Sequence, residues 1–406
     1  MGLWVCGMKN RLIPVLLGLD LGAYAVALSF YETYGVTSHA FGRYPCGITR
    51  YSSIVRTHIV PDLLEESGVA ALLSFSARYP DADLFLVPCG DWYLRFAQRH
   101  RDALSTAYRM YLPEKTLTDR ISDKAEFLHL LDTAGLPHPE TRVLSDMRDA
   151  PLFAHDPTVG FPAVLKAADS TEYYAHPFPG MKKVDFPTTP KEAETLLKRI
   201  YASGYRGKVL WQKYVEADRA ETLTLFLDNR SRVRVSVRAR VVLEERAPGA
   251  RGNYAALITL PPDGLCRALG EFAAGLGYTG FCNFDILYRG DQPFVLEMNP
   301  RQGRSCDYLR AAGVSLAACL LTAAGGGVLP VKQNYPHILW RCVSARTVRR
   351  YGARDCRGEV ERLEREGFAI SPFDRRNDHT LLHRAYVGIH LFRRDSAVAK
   401  FAAQPL

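Results

Sequence analysis

Across its 406 residues the chain has no run of 18 or more uninterrupted apolar residues, so none of it reads as a membrane-spanning helix. It has no C-x-x-C pair and no Cys/His spacing of the kind that holds zinc. Its nine cysteines are odd in number and scattered, which argues against a disulfide framework and for a reduced, cytoplasmic compartment. Internal repeats and low-complexity tracts are missing, which sets repeat architectures aside. An acidic excess is missing too. Lys plus Arg number 52 against 43 Asp plus Glu, a net charge of +9. That balance favours anionic partners such as nucleotides, phosphorylated metabolites or nucleic acid without choosing among them. No aromatic–basic recognition motif supports nucleic acid.

What is present is a folded globular chain. The hydrophobic content is 47% with 11% aromatics, and the length exceeds what one core usually serves, so two or three domains are expected. The N-terminal run "MKNRLIPVLLGLDLGAYAVALSF" has a basic start, an apolar stretch and an "AYA" that imitates a signal cleavage site. Asp20 interrupts it, and the same residues read better as a buried strand, a Gly-containing turn and an amphipathic helix.

From residue 12 to about 115, strand-like segments ("IPVLLGL", "DADLFLVPCGD") alternate with helix-like ones, as in a small α/β unit with a mainly parallel sheet. Ligands of such units sit beyond the carboxyl ends of the strands, which points to Gly18–Gly22 and Cys89–Trp92; both also read as plain βα turns. From Thr116 the pattern changes. "TDRISDKAEFLHLLDTAG" reads as one helix with Gly135 past its end, and "VGFPAVLKA" as a strand ending near Lys166. "ADSTEYYAHPFPGMKKVDF" is polar, interrupted by Pro and Gly, and reads as a mobile lid over 168–184 without regular structure. A helix ("TPKEAETLLKRIYASG"), a strand with a hinge ("VLWQKYVEAD") and an alternating antiparallel strand ("RVRVSVRARVVLEE") follow. The section from Val331 is rich in arginine, with "GEVERLEREG" as a surface helix of mixed charge.

The most informative stretch is "GYTGFCNFDILYRGDQPFVLEMNPRQGRS". Two apolar runs flank "RGDQ", a hairpin signal. Glu297, Asn299 and Arg301 stand at every second position and so share one face of a strand. If the loop is Gly290, Asp291 and Gln292, Asp285 falls opposite Glu297 with Cβ atoms roughly 4.5–5.5 Å apart. Two ionised carboxylates that close repel, so one takes a proton or a cation sits between them. Magnesium suits the place: it prefers hard oxygen ligands and commonly binds carboxylates together with substrate phosphates. Asn299 adds a neutral oxygen, and Arg301 suits a phosphate or carboxylate held in bidentate fashion.

In chain order, Lys124, Lys166, the polar lid, "QKYVEAD", Asp285, Glu297, Asn299 and Arg301 resemble the ATP-grasp superfamily. "DSTEYYAHPFPGMKKV", "LEERAPGARGNYAALIT", "GYTGFCNFDILY", "LEMNPRQGRS" and the tail opening "ILWRCV" further resemble the D-aspartate ligase group of carboxylate–amine ligases. The resemblance implies α/β and α+β architecture: an ATP-grasp fold, its two subdomains holding ATP between them, preceded by a small parallel-sheet α/β domain and followed by a C-terminal helical extension. The expected domains are 1–115, 116–330 and 331–406.

The implied activity is amide formation, in which ATP phosphorylates an amino-acid carboxylate and an amine attacks the acyl phosphate. In that group the donor is aspartate in its D form, and the acceptor is the lysine side chain of an anionic peptidoglycan precursor. The resemblance implies Asp285, Glu297 and Asn299 as ligands for two Mg2+ ions, and Lys124 and Lys166 as contacts to the α- and β-phosphates. Gln212 and the backbone of Tyr214 and Val215 meet the adenine edge, with Asp218 at the ribose. Arg240 and Arg301 steady the acyl phosphate.

The glycine-rich phosphate loop of many superfamily members is absent, Gly180 being the lone glycine of the lid, so Ser170, Thr171 and backbone amides are expected over the phosphates. Gly18, Arg304 and Ser305 are assigned to the amino-acid substrate. Taken singly, each residue has a plainer reading. Lys124 reads as a solvated helix lysine, Lys166 as a snorkelling one, and Gln212 and Asp218 as turn residues, while Arg240 reads as a surface partner of Glu244 or Glu245. Rival functions are a dipeptide or natural-product ligase with a small amine acceptor, and a nucleotide-binding protein without catalysis.

Overall fold

The computed structural model describes residues 11–245, 250, 252–332, 334–373, 378 and 380–402. Residues 8–10 of the N-terminal run, and parts of "LEERAPGARGNY" and "FDRRNDH", lie outside them. The chain forms two compact units, neither continuous in sequence. One comprises Met1–Lys115, Leu223–Asn283 and Arg301–Leu406, the other Thr116–Thr222 and Phe284–Pro300.

In the first unit a five-stranded parallel sheet runs in the order Val55–Ile59, Ser38–Gly42, Arg11–Leu17, Ala82–Pro88, Arg109–Met110. Its central strand is buried on both faces from Leu12 onward, which is why its sequence is a continuous apolar run rather than an alternating one. The helix Leu21–Tyr34 begins at Asp20, whose carboxylate accepts from the amides of Gly22 (3.0 Å) and Ala23 (3.2 Å). Ten consecutive residues, Leu21 to Phe30, are buried, so this helix is enclosed rather than amphipathic as its sequence suggested. The reason is a second layer, since the helix Leu316–Ala324 covers the side turned away from the sheet.

The rest of this unit is built on Val233–Glu244 and Tyr254–Leu260, paired antiparallel, with Leu339–Arg341 against the latter. Ala369–Ile370 then joins Leu339–Arg341 in parallel, so the Arg-rich C-terminal section contributes two strands as well as helices. Its last helix, Leu381–Phe401, is tied down near its start by Asp378. That carboxylate accepts from the amide and hydroxyl of Ser53 at 2.8 and 2.7 Å and from the Tyr24 hydroxyl at 3.3 Å.

In the second unit Val209–Lys213 is the middle strand of an antiparallel three-stranded sheet, between Thr141–Leu144 and Ala163–Ala167. Leu165, Tyr173, Leu197, Tyr205 and Trp211 fill the core behind it. The run expected to be one helix is two, Lys115–Ser122 and Lys124–Thr133. The break falls at Asp123, whose carboxylate turns back to accept from the amides of Ala125 (2.8 Å) and Glu126 (3.1 Å), ending one helix by capping the next. Gly135 sits past the second helix with φ 66°, where Leu136 N donates to Leu131 O at 2.9 Å. The hairpin strands end at Arg289 and resume at Gln292, a turn of two residues and not three. Gly290 takes φ 59° at the first turn position, as a type II′ turn requires.

Candidate active site

Strand geometry sets out the second unit's polar cluster. Along Ala163–Ala167 the buried residues are Ala163, Leu165 and Ala167, which turns Lys166 to the other face. On the neighbouring strand Gln212 lies diagonally across, its pairing partner being Val164, and its Oε1 accepts from Lys166 Nζ at 3.1 Å. Gln212 Nε2 in turn donates to Thr141 Oγ1 at 2.8 Å, which fixes the amide with its oxygen toward the lysine. Lys124 is the first residue of its helix, held there by the Asp123 cap, and its Nζ donates to Ser170 Oγ at 3.1 Å.

Asp285, Glu297 and Asn299 do share one face of the hairpin. Asn299 Nδ2 lies 3.4 Å from Asp285 Oδ2 and 3.5 Å from Glu297 Oε1. Burial raises the Glu297 carboxyl, but Lys124, Lys183 and Lys166, together with a hydrogen bond to Asp285, outweigh it and leave the group at about 2. Lys166 shows the converse. Burial, then repulsion from Lys124 and Lys183, pulls its ammonium down to about 8 against the pull of Glu297. A cluster of three ammonium groups around one carboxylate is poised for further anions, and oligophosphate is the natural one.

The two carboxyls of the hairpin lie close enough to interact, and a cation between them would relieve the repulsion of their charges. Among the described residues no group of three or more His, Cys, Asp or Glu side chains is arranged for a metal ion. Two carboxylates and an amide that can turn its oxygen inward still fit magnesium, which leaves most of its positions to water and phosphate.

Several sequence expectations are corrected. Gln212 is 3% exposed, and its amide is taken up by Lys166 and Thr141 rather than offered to a base edge. The Asp218 carboxylate accepts from Gly290 N at 2.7 Å and so holds the hairpin turn. The lid is not wholly irregular. Ser170–Ala175 is a helix, Tyr173 packs on Phe178 and Tyr205, and Asp185 pairs with Leu165 through both backbone bonds (2.9 and 3.0 Å). Thr171 lies on that helix beside Ser170.

Tyr214, at the start of the hinge, is exposed, and Phe186 stands edge-on to its ring at 6.0 Å. Val215 follows, its carbonyl accepting from Ala217 N at 2.9 Å. Lys183 and Phe186 were not singled out from the sequence. The "KK" pair was visible there, but nothing local showed that Lys183 helps to lower the Glu297 carboxyl.

In the first unit, Arg240 pairs with Asp355 Oδ2 at 2.5 Å, not with Glu244 or Glu245. Arg301 is bidentate to Asp91, Nε and Nη2 donating at 2.8 and 2.7 Å, so it already holds a carboxylate. Arg304 lies between Asp20 (3.3 Å) and Glu245 (3.2 Å), and a Cβ on Gly22 would stand 3.4 Å from its Cα. Gly18, at φ 126°, backs closely onto Cys89 at the carboxyl ends of the two central parallel strands. Ser305 is buried, and its hydroxyl donates to Tyr254 O at 3.2 Å.

Comparison with known proteins agrees with this geometry. The chain is 30% identical over 318 residues to the D-aspartate ligase of Enterococcus faecium, a match covering 76% of each. It is 25% identical over 208 residues to the carbamoyl phosphate synthase large chain of Rubrobacter xylanophilus, covering 49% of this chain and 18% of that one. Among solved structures, biotin carboxylase from Campylobacter jejuni superposes with a TM-score of 0.61 at 16% identity, covering 80% of this chain and 73% of that one. N5-carboxyaminoimidazole ribonucleotide synthetase does so with 0.58 at 14% identity, covering 80% of each. No protein-family model matches the chain.

The fold is that of the ATP-grasp carboxylate–amine ligases. More narrowly, the chain belongs to the D-aspartate ligase family.

Proposed function

We propose that the protein activates the carboxylate of aspartate, in its D form, as an acyl phosphate and joins it to the lysine side chain of an anionic peptidoglycan precursor. The observation that carries the ATP-dependent half of this reading is the convergence of Lys124, Lys166 and Lys183 on Glu297, itself paired with Asp285 beside Asn299. An amine does not displace oxide from a carboxylate, so the oxygen must first become a phosphate leaving group. Transfer of the γ-phosphoryl then needs its charge neutralised.

The three lysines hold the phosphates, and Ser170 keeps Lys124 in place at the lid. Asp285, Glu297 and Asn299 hold Mg2+, two ions in this reading, which neutralises phosphate oxygens when bound. The backbone of Tyr214 and Val215 takes the adenine edge, and the exposed Tyr214 and Phe186 rings flank it. Arg240 and Arg301 steady the acyl phosphate, while Arg304, with Gly18 leaving room, takes the amino acid. The functional domains in this reading are 1–115, 116–330 and 331–406, acting in the cytoplasm on an acceptor whose negative charge suits the Arg-rich tail.

The test is a product analysis. Purified protein is incubated with ATP, magnesium, a lysine-containing precursor and a panel of D- and L-amino acids, and the products are weighed by mass spectrometry. An aspartyl adduct on the precursor lysine, with ADP, is the expected result. Transfer only to small amines makes it a dipeptide or natural-product ligase. Nucleotide binding without any amide product makes it a non-catalytic binder.

A further inference from the structure

The last helix, Leu381–Phe401, has one face fixed to the protein and another facing outward. Inward, the His383 ring is within 3.2 Å of Ile48 O, Asp395 accepts from Ser344 N at 3.0 Å, Arg394 pairs with Glu245, and Val398 is buried. Outward stand Leu381, Leu382, Ile389 and Phe392, exposed by 80%, 68%, 52% and 72%. At 3.6 residues per turn these four, with Ala385 and Ala399, fall within about 100° of the helix circumference. Exposed Ser396 also lies within this arc; Arg384 flanks it on one side, beyond Asp395, and Arg393 and Lys400 on the other, and these three cations are exposed. Scattered apolar side chains on a surface are ordinary, whereas four large ones on one arc are an interaction surface.

We propose that this face lies on an anionic lipid surface, the four side chains entering the headgroup boundary and the three cations pairing with lipid phosphates. The charge pattern selects this occupant. The helix's one acidic residue, Asp395, is turned inward. Two copies meeting through the arc would therefore bring basic borders together, with Asp395, already engaged by Ser344 N, the one acid of the helix beside them. A lipid surface offers both an apolar layer and negative charge along the whole length of the helix. The helix lies on the bilayer and does not cross it, since no helix of the described residues is long and apolar enough to span one.

Full-length protein is sedimented with vesicles of phosphatidylcholine alone, or mixed with phosphatidylglycerol, at moderate and high salt. Binding at least about tenfold stronger to the anionic vesicles, and weakened by salt, is expected. Ile389→Ser with Phe392→Ser should lower it about tenfold or more, the loss expected from taking two large apolar groups out of the boundary. Arg384→Gln, Arg393→Gln and Lys400→Gln together should lower it about a hundredfold, at roughly one surface cation's contribution each. ATP turnover in solution should be unchanged in Ile389→Ser with Phe392→Ser.

Equal binding to the two vesicle types, no vesicle binding, or native-like binding by either variant overturns the proposal. So does a native dimer that Phe392→Ser dissolves, which would make a second copy the occupant of this face. Capture of an acidic protein in place of vesicles would overturn it as well.

Discussion

Replacing Lys166 by Met sets three terms of different sign against one another. The ammonium sits at about 8 instead of 10.5, so at neutral pH the folded protein bears a cost for keeping it charged. The shift corresponds to about 3 kcal/mol. Met keeps most of the apolar stem and removes that cost. Against it stands Gln212 Oε1, which loses its donor in a buried place, a loss of about 1–3 kcal/mol. The nucleotide-free, metal-free variant should therefore be as stable as the native protein, or more stable by up to about 2 kcal/mol. Nucleotide affinity should nevertheless fall about ten- to a hundredfold, one charged contact to phosphate contributing about 1.5–3 kcal/mol.

The pH dependence gives the sharper test. A lysine whose folded pKa is lowered loses its proton near 8 in the folded state and only near 10.5 in the unfolded chain. Between those values the unfolded state binds more protons, so this group makes stability rise with pH across the window. Urea unfolding at pH 7 and pH 9.5 should show that rise, about 2 kcal/mol, in the native protein and not in Lys166→Met. The reasoning fails if the variant melts well below the native protein, if the two pH slopes agree, or if calorimetry finds ATP binding unchanged.

Glu297→Gln leaves a neutral side chain among three lysines and should lower amide formation by at least about a hundredfold, the scale of removing one electrostatic stabiliser; near-native turnover in a folded variant refutes the metal assignment. Hydrogen exchange should show residues 176–184 protected on adding a nonhydrolysable ATP analogue, with the Leu165–Asp185 pairing protected in both states; equal protection throughout makes the segment a fixed wall. Asp123→Ala should destabilise the second unit by about 1 kcal/mol through the lost cap and weaken nucleotide binding by unseating Lys124, and an unchanged affinity would show that the cap does not place the lysine.

The parts of the site that the sequence disclosed are those set by local geometry. A strand repeats every two residues, so Glu297 and Asn299 had to share a face, but bringing Asp285 to them depended on the pairing, since a loop one residue shorter turns a strand's side chains to the other face unless the pairing is irregular. The helix break at Asp123 was harder, because Asp119 and Asp123 both lie near the start of a helix-like run and only the folded cap shows which one starts the helix that holds Lys124. The enclosed helix Leu21–Tyr34 could not be read correctly, since what buries its second side is a segment nearly three hundred residues further along.

The arginines show the same limit in its chemical form. In sequence each arginine is a donor awaiting an anion, and Arg240, Arg301 and Arg304 were read that way. In the fold each already has a carboxylate: Asp355, Asp91, and Asp20 with Glu245. Those partners are remote in sequence, so no spacing rule finds them. Their presence alters what binding means. An incoming anion at Arg301 meets a bidentate ion pair, not a bare guanidinium, and must exchange with Asp91. That exchange costs little, because the Asp91 carboxylate is 51% exposed and a pair so open to water contributes no more than about 1 kcal/mol. A displaced Asp91 regains water, while the arginine keeps one carboxylate or phosphate throughout. The guanidinium is thus already held in an orientation suited to bidentate recognition of an anion.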